Sequence, residues 1–122
     1  KFAGEVTVDD YAIISAAVLC HQFCHIGGYV MIQGGSRFSQ DIPPYITAGK
    51  DPIRYAGINL VGLRRKGFDN ETIELIHTAY RLLYSKGVLA EGIEEIKRQL
   101  KITKEIKYII DFVESSNRGI IR

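Results

Sequence analysis

The sequence predicts a left-handed parallel β-helix of about two coils, followed by a small α-helical C-terminal domain. Apolar residues recur at every sixth position in the first third of the chain, and apolar stripes at helical spacing follow in the second half. A period of six fits neither an α-helix nor a simple strand, but it is typical of hexapeptide solenoids, in which each unit forms one flat side of a coil. The main series is Phe2, Val8, Ile14, Cys20, Ile26, Ile32 and Phe38, and a second series is Val6, Ala12, Val18, Cys24 and Val30.

Three sides make one triangular coil, so residues about 18 positions apart should stack. The expected stacks are Phe2 with Cys20 and Phe38, Val8 with Ile26, and Ile14 with Ile32. The repeat is expected to end at Asp41-Ile42-Pro43-Pro44, because proline cannot donate to a strand ladder. We therefore assign 1–44 to the end of the β-helix, 45–58 to a connecting loop and 59–122 to the helical domain.

The first residues are already in phase with the repeat, and no capping segment or initiator Met precedes them. Solenoids generally need three or more repeats and a polar cap. We therefore expect the chain to be the C-terminal piece of a longer protein, cut inside its β-helix. The alternative is a short natural solenoid that a partner chain caps.

The second half predicts one or two short helical turns, followed by three helices. The turns span Asn59 to Lys66, and the first helix is capped by Asp69 and closed at Lys86-Gly87. The second helix covers about 90–101, where Glu94 and Arg98 are spaced for an i,i+4 ion pair, and the third starts after Thr103. Their apolar stripes predict helix-on-helix core packing and no cofactor role: Ile73, Ile76, Tyr80 and Leu83; Ile93, Ile96 and Leu100; Ile106, Ile109, Ile110 and Val113.

Composition excludes several classes of function. The net charge of +2 is too mild to indicate nucleic-acid binding, and no apolar run approaches the length of a membrane span. Cys20, His21, Cys24 and His25 do not predict a metal site, because the cysteines fall on inward registers and the histidines on two others. We expect no metal and no cofactor. Buried, reduced thiols fit a cytoplasmic protein.

Four strings of residues indicate a particular family. The strings are His21-Gln22-Phe23, Asp41-Ile42-Pro43-Pro44-Tyr45, Asn59 with Gly62-Leu63-Arg64-Arg65-Lys66-Gly67-Phe68, and Arg118-Gly119-Ile120-Ile121-Arg122. In the order and spacing of these strings the chain resembles the C-terminal part of the acyl-[acyl-carrier-protein]–UDP-N-acetylglucosamine O-acyltransferase family, within the hexapeptide-repeat acyltransferase superfamily. The resemblance covers essentially the whole chain.

The resemblance implies a cytoplasmic homotrimer without metal, with active sites between adjacent β-helices. It implies transfer of an R-3-hydroxyacyl chain from acyl carrier protein to the 3-hydroxyl of UDP-N-acetylglucosamine, the first step of lipid A biosynthesis. A histidine is the general base in the family, and its position precedes residue 1 of this chain. From the resemblance we therefore expect the residues of this chain not to include the general base.

The resemblance also assigns roles to individual residues. Gly4 matches the glycine whose backbone amide forms the oxyanion hole, and its alternative is a plain corner glycine. His21 and Gln22 match substrate-binding residues, with a solvated corner as the alternative. Asn59 matches a residue that helps recognise the nucleotide. Glu5 and Val61 depart from the family pattern, which has another histidine and, in some relatives, an acidic residue there.

Arg65 and Lys66 match the basic pair that meets the nucleotide phosphates, and the alternative is a row of solvated cations on a helix. Gly34 matches the position that sets acyl length, where glycine leaves the groove open for a long hydroxyacyl chain. A basic face could steer the acidic acyl carrier protein, and it is equally explained as a solvated face. Its residues are Lys97, Arg98, Lys101, Lys104 and Lys107.

Two other functions stay open at this point. A related enzyme could acylate an amine on a modified UDP-sugar, with the same fold and acyl donor. A non-catalytic hexapeptide trimer module would bind no nucleotide, and it would leave the Arg64-Arg65-Lys66 run without a purpose.

Overall fold

The computed structural model describes residues 7–14, 19–20, 24–34, 37–49 and 53–122. Within this part of the chain, short strands occupy the first half and helices the second. The strands are β1 (Thr7–Val8), β2 (Ile13–Ile14), β3 (Leu19–Cys20), β4 (His25–Ile26), β5 (Met31–Ile32), β6 (Arg37–Phe38), β7 (Ile46–Gly49) and β8 (Arg54–Ile58). The helices are α1 (Leu60–Arg65), α2 (Asn70–Leu83), α3 (Leu89–Gln99) and α4 (Lys104–Ser115).

The first two layers of strands pair in parallel with the 18-residue step that the hexapeptide period predicts. Ile26, Ile32 and Phe38 are buried, as their inward register requires. Val8, on the outer edge of the described stack, keeps 42% of its surface exposed although its partner Ile26 is fully buried. Phe2 lies outside the described residues. The pairs are Val8 with Ile26, Ile14 with Ile32, and Cys20 with Phe38.

The stacking continues beyond Asp41-Ile42-Pro43-Pro44, so the prediction that the repeat ends there is wrong. Ile42 bridges in parallel to Ile26, and β7 pairs in parallel with β5, each with a step of 16 residues. The two prolines lie at a corner, where the ladder does not need their missing N–H groups, and Tyr45 resumes it by donating to the Gly28 carbonyl at 2.9 Å. Gly27 makes room for them, because a Cβ there would lie 2.5 Å from the Pro44 nitrogen.

The segment 45–58, expected to be a connecting loop, holds β7 and β8 instead. They pair antiparallel, with an irregularity in register between Ile46 and Ala48, and β8 forms the edge of the four-stranded sheet β2-β5-β7-β8. A loop was expected because β7 stacks two residues earlier than the repeat, which hides its inward positions. The start of the helical domain at residue 59 stays a prediction.

Helices α2 and α4 begin where Asp69 and Thr103 predict them to begin. The Asp69 carboxylate accepts from the Thr72 N–H at 2.7 Å, and the Thr103 hydroxyl accepts from the Ile106 N–H at 3.3 Å. Helix α2 ends at Leu83, before the predicted Lys86-Gly87. The stripes are buried, with Leu100 and Val113 half-buried.

The predicted Glu94–Arg98 ion pair is wrong. Arg98 contacts Glu95 at 2.9 Å, and Glu94 lies 4.0 Å from Lys97. Both pairs have i,i+3 spacing, which is as close on a helix surface as i,i+4. Across the described residues, no helix is long and apolar enough to cross a membrane.

Buried polar contacts join the helices to the strands. Tyr80 in α2, fully buried, donates to the Pro44 carbonyl at 2.6 Å. The buried Asp41 carboxylate accepts from the His25 N–H at 2.7 Å and from the Ser116 hydroxyl at 2.6 Å. These bonds, together with one continuous apolar core, fix the helices on top of the strand layers.

Candidate functional site

Three tyrosines form a ladder along one corner of the strand layers. Tyr11, Tyr29 and Tyr45 have positive φ angles of 63°, 61° and 71°, which are rare for residues other than glycine. Their rings stack, with centroids 5.0 Å apart for Tyr11 and Tyr29 and 5.7 Å apart for Tyr29 and Tyr45. Stacked aromatic rings contribute about 0.5–1.5 kcal/mol per pair, enough to offset much of the backbone strain.

The short helix α1 is anchored to this ladder at Asn59. The Asn59 N–H donates to the Tyr45 carbonyl at 2.8 Å, and the Asn59 Nδ2 donates to the Tyr29 carbonyl at 3.0 Å. The Asn59 Oδ1 accepts from the Gly62 N–H at 3.2 Å, so the same side chain caps the helix. Phe68, just after the helix, packs edge-on against Tyr29 and Tyr45. Both ends of α1 are therefore held by the tyrosine ladder.

A cleft of about 450 Å³ lies between α1 and the strand layers. One wall is apolar and comes from Ile13, Met31 and Val61, of which Ile13 and Val61 are exposed. The cleft thus combines an apolar wall with an amide and two cations. Its lining residues are Tyr11, Ile13, Tyr29, Met31, Asn59, Val61, Gly62, Arg65 and Lys66.

The two cations of the cleft carry no ion pair within the described part of the chain. The Lys66 ammonium lies 4.6 Å from the centroid of the Tyr11 ring. Arg64, in contrast, lines a separate groove with Glu74 and His77. The basic run is therefore divided, with Arg65 and Lys66 on the cleft and Arg64 elsewhere.

A second groove, of about 530 Å³, continues from the cleft past Tyr29 and Lys66. Tyr45, Phe68 and Tyr108 give it an aromatic floor. Burial raises the pKa of Tyr45, and burial together with the hydrogen bond that Tyr108 donates to Asp9 raises the pKa of Tyr108. These phenols therefore stay protonated at neutral pH, and the Tyr108 hydroxyl donates to Asp9 while it accepts from the Gly28 N–H at 2.7 Å.

The structure brings together three of the residues that the sequence singled out: Asn59, Arg65 and Lys66. Gly34 is exposed in the turn after β5, next along the chain from a strand whose Met31 lines the cleft. Gly4, His21 and Gln22 lie outside the described residues. The roles of all these residues stay predictions.

Sequence reasoning missed Tyr11, Tyr29, Ile13 and Met31 as parts of the cleft. The signal was present, since Tyr11 and Tyr29 are 18 positions apart, as are Ile13 and Met31. Both pairs lie outside the two inward series, so the hexapeptide period did not mark them as candidate residues.

Two residues of the Cys and His group considered above, Cys24 and His25, make contacts within the fold. Cys24 is fully buried, as its inward register predicts. His25 Nε2 lies 2.8 Å from Asp9 Oδ1, and its ring lies 4.4 Å from that of Phe112. Across the described residues, no three His, Cys, Asp or Glu side chains are grouped closely enough to hold a metal ion.

Three cations of the predicted basic face are engaged in ion pairs. Lys97 lies 3.5 Å from Glu114, Arg98 pairs with Glu95, and Lys107 lies 2.5 Å from Asp111. All of these side chains except Glu95 are largely exposed, so each pair contributes little to stability but cancels local charge. The net positive field of this face is smaller than the count of lysines and arginines indicates.

Comparison with known proteins gives consistent results. A family model described as UDP N-acetylglucosamine O-acyltransferase, domain 2, matches residues 41–121. An Aliivibrio salmonicida protein named acyl-[acyl-carrier-protein]–UDP-N-acetylglucosamine O-acyltransferase is 43% identical over 121 residues, which is 98% of this chain and 46% of that protein. The chain thus spans about half the length of the curated relatives it matches.

Solved structures agree with the fold. The UDP-N-acetylglucosamine acyltransferase of Bacteroides fragilis is 58% identical with a TM-score of 0.93, over 96% of this chain and 46% of that one. The Francisella novicida enzyme is 38% identical with a TM-score of 0.91, over 99% of this chain and 45% of that one. The chain belongs to the UDP-N-acetylglucosamine O-acyltransferase family.

Proposed function

We propose that this chain acts in the transfer of an R-3-hydroxyacyl chain from acyl carrier protein to the 3-hydroxyl of UDP-N-acetylglucosamine, and that the cleft binds the UDP part of this acceptor. The observation that carries the proposal is the meeting of Asn59, Arg65 and Lys66 in one cleft. The relatives described above are named after the acyl donor and the acceptor that the proposal uses.

The chemistry of the cleft suits a nucleotide diphosphate. A guanidinium can donate two parallel hydrogen bonds to a phosphate, and an ammonium adds a compact positive charge. Because no carboxylate of the described residues pairs with Arg65 or Lys66, their charge is available to an anion. The second N–H of the Asn59 amide can donate to a base or ribose, while the first holds Tyr29.

The proposal includes the architecture of the family. The strand layers are part of a left-handed β-helix, three copies assemble, and the sites lie between adjacent β-helices. Parallel pairing at 18-residue steps and the TM-score of 0.93 support this architecture. His21 and Gln22 contact the substrate, and the Gly4 amide donates to the developing oxyanion. The predicted cytoplasmic location accompanies this proposal.

Binding of UDP-N-acetylglucosamine, measured by calorimetry on the intact protein, tests the role of the cleft. Arg65→Met and Lys66→Met should each weaken binding about tenfold or more, because hydrogen bonds to charged groups contribute about 1.5–3 kcal/mol. Arg64→Met is the matched control, since it removes a neighbouring charge that faces the groove of Glu74 and His77. Equal weakening by all three variants would show only a general electrostatic effect and would refute the assignment of the cleft.

The acyl-length role of Gly34 needs a separate experiment on the intact protein. Gly34→Met should shift the preferred donor toward shorter hydroxyacyl chains, because a large side chain would block the acyl groove that the family resemblance places at this position. Gly87→Met is the control, because Gly87 is exposed with open space around it. An unchanged chain-length profile in Gly34→Met would remove the residue from the proposal.

A further inference from the structure

We propose that Tyr11 is a positioning residue for Lys66: the tyrosine ladder holds this ring under the Lys66 ammonium, so that the cation is already placed in the cleft before the acceptor arrives. This inference rests on the proposed function, because it takes the ligand of Lys66 to be the diphosphate of UDP-N-acetylglucosamine. It gives a task to an aromatic side chain that is 56% exposed.

The ring of Tyr11 is fixed although it is exposed. Its backbone has a φ of 63°, and its ring lies at 28° to that of Tyr29 with a centroid distance of 5.0 Å. Tyr29 is held in turn by Tyr45, at 5.7 Å and 23°. Each ring therefore restrains the next, and Tyr11 is the lowest member of the described ladder.

Lys66 is placed from two directions. Its backbone N–H donates to the carbonyls of Gly62 and Leu63, which closes the helix that Asn59 ties to the ladder. Its ammonium lies 4.6 Å from the Tyr11 centroid, within the range of a cation–π interaction. The two ends of α1 are thus tied to different tyrosines, one through the backbone and one through a ring.

A ring serves this purpose better than a carboxylate. An aspartate in the place of Tyr11 would hold Lys66 more strongly, but it would also neutralise the ammonium and repel a phosphate. The face of an aromatic ring attracts a cation through its quadrupole without adding negative charge. Lys66 is therefore restrained and still fully available to an anion, which lowers the entropy lost when the ligand binds.

The first test needs no ligand. An ammonium over a ring places the Lys66 Cε protons in its shielding region, so their NMR signal should be shifted upfield in the unliganded protein. Tyr11→Phe should keep this shift and Tyr11→Leu should abolish it. A Lys66 Cε signal at the ordinary position in the wild-type protein would overturn the inference, whatever the binding data show.

The second test is a cycle of substitutions read by calorimetry with UDP-N-acetylglucosamine on the intact protein. Tyr11→Leu should weaken binding about two- to fivefold, the size expected for an exposed cation–π pair, and Tyr11→Phe should stay within about twofold. In a Lys66→Met background, Tyr11→Leu should have no further effect. When acyl transfer is measured, Tyr11→Leu should raise the KM for UDP-N-acetylglucosamine and leave kcat unchanged.

The outcomes are distinguishable. An equal loss from Tyr11→Leu in both backgrounds would show that Tyr11 acts on the ligand or the fold directly, which overturns the inference and leaves the proposed function intact. A wild-type protein that does not bind UDP-N-acetylglucosamine at all would instead refute the proposed function. Thermal unfolding of Tyr11→Leu identifies a loss that is only structural.

Discussion

Gly62 and Asn59 give a sharp test of how the cleft is built. A Cβ added at Gly62 would lie 2.9 Å from Asn59 Cγ and 3.0 Å from its Oδ1, and closer still to its Nδ2. Side-chain atoms cannot share that space, so Gly62→Ala must displace the Asn59 side chain. The displaced amide then loses its bonds to the Gly62 N–H and the Tyr29 carbonyl.

Two opposing terms set the magnitude. Two hydrogen bonds are lost at about 0.5–1.5 kcal/mol each, whereas alanine favours a helix over glycine by about 1 kcal/mol. Gly62→Ala should therefore destabilise the protein by about 0–2 kcal/mol. In an Asn59→Ala background there is nothing left to displace, so the same substitution should stabilise the protein by up to about 1 kcal/mol.

Urea unfolding followed by circular dichroism measures both effects as free energies of unfolding, provided that the dependence on urea is unchanged. The expected result is a change of sign between the two backgrounds. If Gly62→Ala had the same effect with and without the Asn59 side chain, the two residues would not compete for space, and the description of this helix start would be wrong.

Two further predictions concern the helices. The hydrogen bond from the Thr72 N–H lowers the pKa of the Asp69 carboxyl. The contribution of this cap to the stability of the folded protein is therefore present above the unfolded pKa of about 3.9, and it is lost as the pH falls through the folded pKa. The difference in melting temperature between Asp69→Ala and wild type should therefore shrink from pH 7 to pH 3. Thr103→Ala is the control: it removes an uncharged cap, so its difference from wild type should not shrink. The same pH dependence in both variants would contradict the prediction. Gly92→Ala should destabilise by about 1–3 kcal/mol, because its Cβ would lie 2.8 Å from Leu83 C and Cα and closer still to the Leu83 carbonyl oxygen. Gly87→Ala should stabilise by about 0.4–1 kcal/mol, because its Cβ would lie in open space. Urea unfolding checks both glycines, and a stabilising Gly92→Ala would mean that α2 and α3 can separate freely.

Sequence alone could predict the lower strand layers because inward positions in a hexapeptide repeat are readable one by one. Val8, Ile14 and Cys20 pair with the partners that a step of 18 assigns. The shortened step after Phe38 could not be foreseen. Proline reports a missing donor, but it does not tell whether a ladder ends or turns a corner. For this reason the sequence did not predict that Tyr45 stacks on Tyr29, which lies 16 positions before it.

The candidate site was predictable to the extent that it is local. The family resemblance singled out Asn59, Arg65 and Lys66, and because they lie within one helix and its ends, their order along the chain already places them near one another. Tyr11 and Met31 reach the same cleft from two different layers, and only the stacking of the layers brings them there. Tyr11 and Met31 follow the regular step of 18 to Tyr29 and Ile13, but all four lie outside the two inward series, so the repeat alone did not assign them to the cleft.

The buried Asp41 also determines how the protein opens. Its carboxylate binds His25 and Ser116, and its backbone exchanges hydrogen bonds with Gly119 and Ile121. Because one residue holds both segments, we expect a local fluctuation that frees the last residues of the chain to expose the amide of His25 as well. The amide protons of His25, Asp41 and Ile121 should exchange with solvent deuterium through one shared opening event, with similar protection and a similar response to low concentrations of urea.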